Sequence, residues 1–159
     1  DMKHNPQFDE TRERMAPGQL ARDGFLGDDS RPIPDIIAAD AAVLESAGVL
    51  PEQLADILDE LHDAADAAQE APVDLYDGRV TVQIAEVMGR IPCPFACGHR
   101  AHKACITIRF GGQETILTPL HAHLIREHTF FQGQGAPFRV PPSVLIALYR
   151  TARGDTPDA

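Results

Sequence analysis

The sequence predicts an α+β fold: a helical hairpin packed on a small antiparallel sheet, with a loop and helix resembling those of a zinc finger. Three observations carry this expectation. Apolar residues between Pro34 and Glu70 recur by threes and fours, the period of a helix. After Pro72 the period falls to two around an Asp77-Gly78 pair, and again around Gly111-Gly112, which marks hairpins. All three cysteines and five of the seven histidines fall within the 36 residues from Cys93 to His128.

The chain has 159 residues, enough for one domain that does not depend on a metal for all its stability. The expected division is a flexible arm over residues 1–31, a globular domain over 32–153 and a short tail over 154–159. Within the domain, residues 32–71 form the acidic hairpin and 72–153 the sheet and metal-binding part. No apolar run approaches the ~18 residues of a membrane helix. An odd cysteine count and the absence of a basic-then-apolar leader point to a reducing cytoplasm. Net charge is −10, unevenly spread. Residues 1–90 carry 20 acidic and 7 basic side chains, and residues 91–159 carry 4 and 7. The acidic half repels a phosphate backbone, so nucleic acid is not an expected partner. Solvated helix faces account for most of that charge.

Taken in order, residues 1–31 are polar and rich in glycine, and read as a mobile or draped arm. In it, Phe25-Leu26 between two glycines is a candidate anchor onto the core. With little apolar surface before it, removal of residues 1–20 is expected to leave stability nearly unchanged. Pro34–Ala47 reads as a helix with Gly48 as its stop. Pro51 suits the first turn of a second helix, whose stripe is Leu54, Ile57, Leu58, Leu61, Ala65 and Ala68. The short link between them implies an antiparallel pair, and His62 reads as a surface residue. Val73–Tyr76 and Arg79–Ile84 form one predicted hairpin. Cys105–Phe110 and Glu114–Leu117 form another, with Ile106, Ile108 and Phe110 on one face. Thr118-Pro119 starts a helix that ends near His128. The loop 130–139 is followed by a short helix over Pro142–Ala152.

The chemistry concentrates in Cys93-Pro-Phe-Ala-Cys97-Gly and His123-x4-His128. A proline and a glycine let a tight turn present two sulfurs to one ion, and thiolate with imidazole is the donor set zinc prefers. Five residues along a helix turn a side chain by about 140°, so a loosened last turn is expected where the two imidazoles converge. Cys93, Cys97, His123 and His128 are the leading ligand set. A mixed set drawing on His99, His102 or Cys105 competes with it. His121 sits on the apolar side of the helix and reads as a packed core histidine.

Residues 93–128, in the order knuckle, hairpin, helix with two histidines, loosely resemble a Cys2His2 zinc finger. The knuckle has one extra residue, and 25 residues separate Cys97 from His123 where the common finger has ~12. The resemblance therefore implies a metal site and no DNA reading. Together with Gly24-Phe-Leu-Gly, the run from His123 to Arg139 also resembles a group of uncharacterised bacterial proteins. That likeness implies one intact domain and no activity.

The expected function is a zinc-binding protein with a structural metal, acting as a binding module toward an unidentified protein partner. The alternative is a small zinc-dependent hydrolase with an open coordination position and Glu127 as general base. His123-Leu-Ile-Arg-Glu127-His128 is one residue too long for the His-x-x-Glu-His pattern of known zinc proteases. A thiol nucleophile built from Cys97 and His99 has only adjacency in its favour. Gly133-Gln-Gly135 with Arg139 is a candidate anion site, set against a flexible turn with a surface arginine.

Overall fold

The computed structural model describes residues 6–155. In chain order the elements are α1 (Pro6–Arg14), α2 (Ile33–Ala47), α3 (Pro51–Ala67), β1 (Val73–Leu75), β2 (Val80–Pro92), β3 (Arg100–Phe110), β4 (Gln113–Leu117), α4 (Leu120–His128) and α5 (Pro142–Arg153). The strands form one antiparallel sheet in the order β1-β2-β3-β4. The fold is therefore α+β, as the two periods of the sequence require.

The sheet shows how register follows from turn chemistry. Gly111 and Gly112 both take positive φ, so Phe110 pairs directly with Gln113 across a two-residue turn. That register puts Ile106, Ile108 and Phe110 together on the buried face, beside Val80, Val82 and Ile84 of β2. Helix α3 lies against β2 through Leu54, Leu58 and Leu61, and α4 packs along α3. Arg126 of α4 fastens that contact from outside, bonding Asp56 at 2.7 Å and Asp59 at 2.8 Å.

The structure refines the helical pair. Gly48 takes the left-handed conformation and ends α2, and its N–H and that of Val49 return to Glu45 and Leu44. The chain then turns so that α2 packs chiefly on α5, while α3 takes the sheet. Gln53 joins the two regions: its side chain accepts the Leu50 N–H at 2.8 Å and donates to the Tyr149 hydroxyl at 2.9 Å. The strands are also longer than alternation indicates. β2 runs on to Pro92 through an irregularity between Glu86 and Arg90, and β3 begins at Arg100. The cysteine loop therefore closes one long hairpin instead of lying between two.

The largest departure is in the first 31 residues. Residues 6–14 form α1, which polar composition conceals, and Met15 is fully buried. Phe25 and Leu26 are buried too, joining Ile33, Ile36, Leu120, Leu124 and Phe130 in a second apolar cluster. Backbone bonds hold the segment there: Gly133 N–H donates to Phe25 O at 2.8 Å and Asp28 N–H to Gln134 O at 3.1 Å. Asp29, whose carboxylate the Arg31 guanidinium holds well below the usual range, also accepts the Gln134 N–H at 3.0 Å. The approach is so close that a Cβ on Gly133 would overlap the Leu26 carbonyl. Met15 belongs to the cluster and the partly buried Phe8 and Leu20 pack against it, so residues 6–20 bury more apolar surface than their polar composition indicates. The expected effect of removing residues 1–20 reverses accordingly. Losing Met15 burial alone costs ~1.5–3 kcal/mol. Thermal denaturation of the shortened chain should show a loss of several degrees, at ~2–4 °C per kcal/mol for a chain of this size.

The same lock corrects the reading of the 130–139 loop. Arg139 is neither an anion receptor nor a surface residue. Its guanidinium bonds the Asp40 carboxylate at 2.8 and 2.9 Å and the Gln132 carbonyl at 2.7 Å, with both side chains almost enclosed. Gly133 and Gln134 are engaged with residues 25–29, so the loop is a docking platform for the N-terminal segment.

Candidate metal centre

Cys93 and Cys97 sit on the loop that closes β2 and β3. Cys93 N–H donates to His99 O at 2.9 Å, and Ala96 N–H turns back to Cys93 O at 3.1 Å. The residue that exceeds the usual knuckle is absorbed at Ala96, which takes φ of 58°, and Gly98 follows at 92°. A left-handed alanine costs ~1–2 kcal/mol, so this turn is held by its surroundings. One holding contact is remote in sequence: Arg14, at the end of α1, donates from Nε to Pro94 O at 2.7 Å.

His123 and His128 come from α4. The helix is regular through His128 and ends at Thr129, which is left-handed, with Thr129 and Phe130 N–H groups returning to Ile125 and Leu124. The expected loosening of the last turn does not occur. The imidazoles converge through side-chain reach instead, ring centroids 5.3 Å apart and planes at 73°. Both present Nε2, the outermost ring atom, to sulfur: His123 to Cys97 at 3.1 Å and His128 to Cys93 at 3.4 Å.

The four donor atoms of Cys93, Cys97, His123 and His128 all lie within 4.8 Å of one another. Zn–S near ~2.3 Å and Zn–N near ~2.0–2.1 Å, at a tetrahedral angle, place sulfur and nitrogen about 3.5 Å apart. The observed spacings sit close to that figure. The donor set therefore fits a transition metal such as zinc.

Electrostatics agree with the geometry. Burial pushes the Cys93 thiol up to about 12, so in the absence of a cation it stays protonated at neutral pH. His123 is lowered to about 4, chiefly by burial and then by the neighbouring His99 and His128, and burial lowers His128 as well. Both imidazoles thus keep their lone pairs at pH 7, and a divalent cation supplies what a buried thiolate needs.

Aromatic rings wall the cluster. Phe95 stacks on His128 at 4.1 Å and meets Phe130 edge-on at 5.3 Å. His99 stacks on His123 at 3.9 Å, planes within 6°. His99 is thus a neighbour of a cluster residue and not one of the four. His102 and Cys105 lie in β3 outside the cluster; His102 Nε2 is 3.5 Å from the Glu86 carboxylate. His121 is buried with both nitrogens in use, Nδ1 accepting the Thr118 N–H at 3.0 Å and Nε2 donating to Phe138 O at 2.8 Å. Burial lowers it further, and it is the core histidine that its place in the helix implies. Glu127 is exposed.

Two participants escaped the sequence reading, Arg14 and Phe95, and His99, a candidate ligand of the mixed set, is instead the ring stacked on His123. His62 escaped it as well. It is half-buried, its ring centroid 5.3 Å from that of His102, and its Nε2 is enclosed with no partner among the described residues. The 25 residues between Cys97 and His123 are also explained. They hold β3, β4 and the turn between them, so part of the main sheet replaces the small hairpin of a finger.

No known protein family, curated protein or solved structure matches the chain.

Proposed function

We propose that the chain binds one zinc ion through Cys93, Cys97, His123 and His128, that the ion is structural, and that the protein serves as a cytoplasmic binding module for a protein partner. The observation that carries this reading is the convergence of four donors, two from a hairpin loop and two from a helix, within 4.8 Å. Four protein donors complete a tetrahedral shell and leave no position for a reacting water. The ion would join the end of the β2–β3 hairpin to α4, while Arg14 on Pro94 makes the N-terminal segment part of the same unit. Charge favours a protein partner over nucleic acid, since the chain carries −10 overall.

A zinc hydrolase with Glu127 as general base is the second reading. It requires one of the four donors to withdraw in favour of water, and Glu127 to reach that water. The exposed position of Glu127 favours the closed site instead.

Mass spectrometry under native conditions tests the first step. Protein purified without added metal should carry one zinc per chain, and chelation followed by zinc titration should restore it. An apo mass that gains nothing on titration would sink the reading.

A further inference from the structure

A cavity elsewhere in the molecule shares no residue with the Cys/His cluster. Its volume is about 240 Å³, and it opens between residues 21–25, the irregular stretch of β2 and the part of β3 that runs past the end of β4. Phe25, Ile91, Leu120 and Phe138 make its walls mainly apolar. The site is smaller than the ~300–1,000 Å³ typical of pockets for drug-sized ligands, so it selects a small molecule.

Gln132 also stands in the wall. It is 4% exposed and takes φ of 70°, and its carbonyl is held by Arg139. Among the described residues its side-chain amide has no protein partner, and it is open to the cavity and not sealed like His62 Nε2. A non-glycine residue at positive φ is unfavourable, and such strain gathers at ligand sites; the amide beside it, open to the cavity, is free to bond a ligand.

Charge is the third observation. Most arginines of this chain are engaged with carboxylates or carbonyls, as Arg12, Arg14, Arg31, Arg79, Arg126 and Arg139 are. Arg22 and Lys103 side chains make no ion pair or hydrogen bond among the described residues, and both line this cavity. The Lys103 stem lies over Gly89 at the β2 irregularity. Asp23 lines the cavity too, which leaves its lining one net positive charge, while Glu86 stands outside the lining against His102.

We propose that this cavity binds a small monocarboxylic acid with an apolar body. The hydrocarbon part packs against Phe25, Ile91 and Leu120, the carboxylate lies between Lys103 and Arg22, and Gln132 donates an N–H to it. The β3 edge at residues 102–105 offers main-chain groups to an extended peptide as well, but the cavity's small volume and the enclosed Gln132 favour the acid.

The experiment titrates the full zinc-loaded chain with octanoate and 3-phenylpropanoate, and with the matched alcohols 1-octanol and 3-phenylpropanol. Calorimetry gives affinity, and amide shifts by nuclear magnetic resonance give location. The expected result is saturable one-site binding of an acid below ~1 mM. Shifts should centre on residues 102–105 and 132, and the alcohol should bind roughly tenfold more weakly because it lacks the charge-assisted bonds. The double variant Arg22→Met with Lys103→Met should lose that preference, with zinc content and melting temperature unchanged. Gln132→Leu should weaken the acid, and if it unfolds the chain, Ala21→Phe at the cavity lining should block binding instead. Equal binding of acid and alcohol, acid binding indifferent to the double variant, no saturation with either acid, or capture of an extended peptide with no response to the acids would each overturn the proposal.

Discussion

Cys93→Ser and His128→Ala should each strip the metal and lower the melting temperature by many degrees, whereas Glu127→Gln should change neither. Cys93 is buried, its N–H donates to His99 O, and its sulfur lies 3.4 Å from His128 Nε2, where the hairpin loop meets α4. A structural zinc site contributes its binding energy directly to folding, apparent values reaching ~10–16 kcal/mol in finger peptides. A larger domain retains part of its stability without the ion, so partial unfolding of the 93–99 loop and the end of α4 is the expected phenotype. Scanning calorimetry with elemental analysis of each variant checks it. The hydrolase reading gives the opposite pattern: Glu127→Gln would retain fold and metal but abolish turnover of a substrate found by screening. Three protein donors plus a water within reach of Glu127, in a zinc-bound crystal structure, would defeat the structural assignment.

Asp40→Ala should destabilise the fold by ~3 kcal/mol or more, comparable with losing a large core side chain. The change leaves the Arg139 guanidinium enclosed with only the Gln132 carbonyl for a partner. At ~2–4 °C per kcal/mol the melting temperature should fall by roughly 6–12 °C. The Asp40→Leu, Arg139→Met pair removes both charges and should recover most of that loss, because well-packed apolar groups often replace a buried ion pair at little cost. A double-mutant cycle measures the coupling directly. Additive losses from the two single changes would show that the pair is not a unit. The pair also holds the 132–139 platform on which Phe25 and Leu26 dock, so the single variant should expose the N-terminal segment to proteolysis.

Much of the sheet was legible in the sequence because its determinants are local. Two successive glycines at positive φ set the β3–β4 register, and period-two alternation then decides that Ile106, Ile108 and Phe110 face inward. The convergence of Cys93, Cys97, His123 and His128 was legible for a different reason. Donor type and clustering restrict which residues can meet, even when the path between them is unknown. His121 was legible as core because it shares the apolar side of α4 with Leu120, Leu124 and Ile125.

The remaining features depend on contacts between residues far apart in the chain, which no local pattern carries. Polar composition marks residues 6–31 as an arm, yet Met15, Phe25 and Leu26 are buried by α4 and the 130–136 loop roughly 100 residues later. Gly133 looks like a turn glycine and is required because the Leu26 carbonyl leaves no room for a Cβ. Arg139 looks free until Asp40 is brought to it by α2. By itself, then, the sequence determined the α+β class and the hairpin turns and put Cys93, Cys97, His123 and His128 first among the candidate donors, each a matter of local conformation or donor chemistry. Tertiary structure alone decided which candidate donors converge, that the arm closes the molecule, that Arg14 braces the cysteine loop, and that Gln132 with Lys103 and Arg22 borders a cavity apart from the Cys/His cluster. Those outcomes follow from backbone approach and long-range packing, which exist only once the chain has folded.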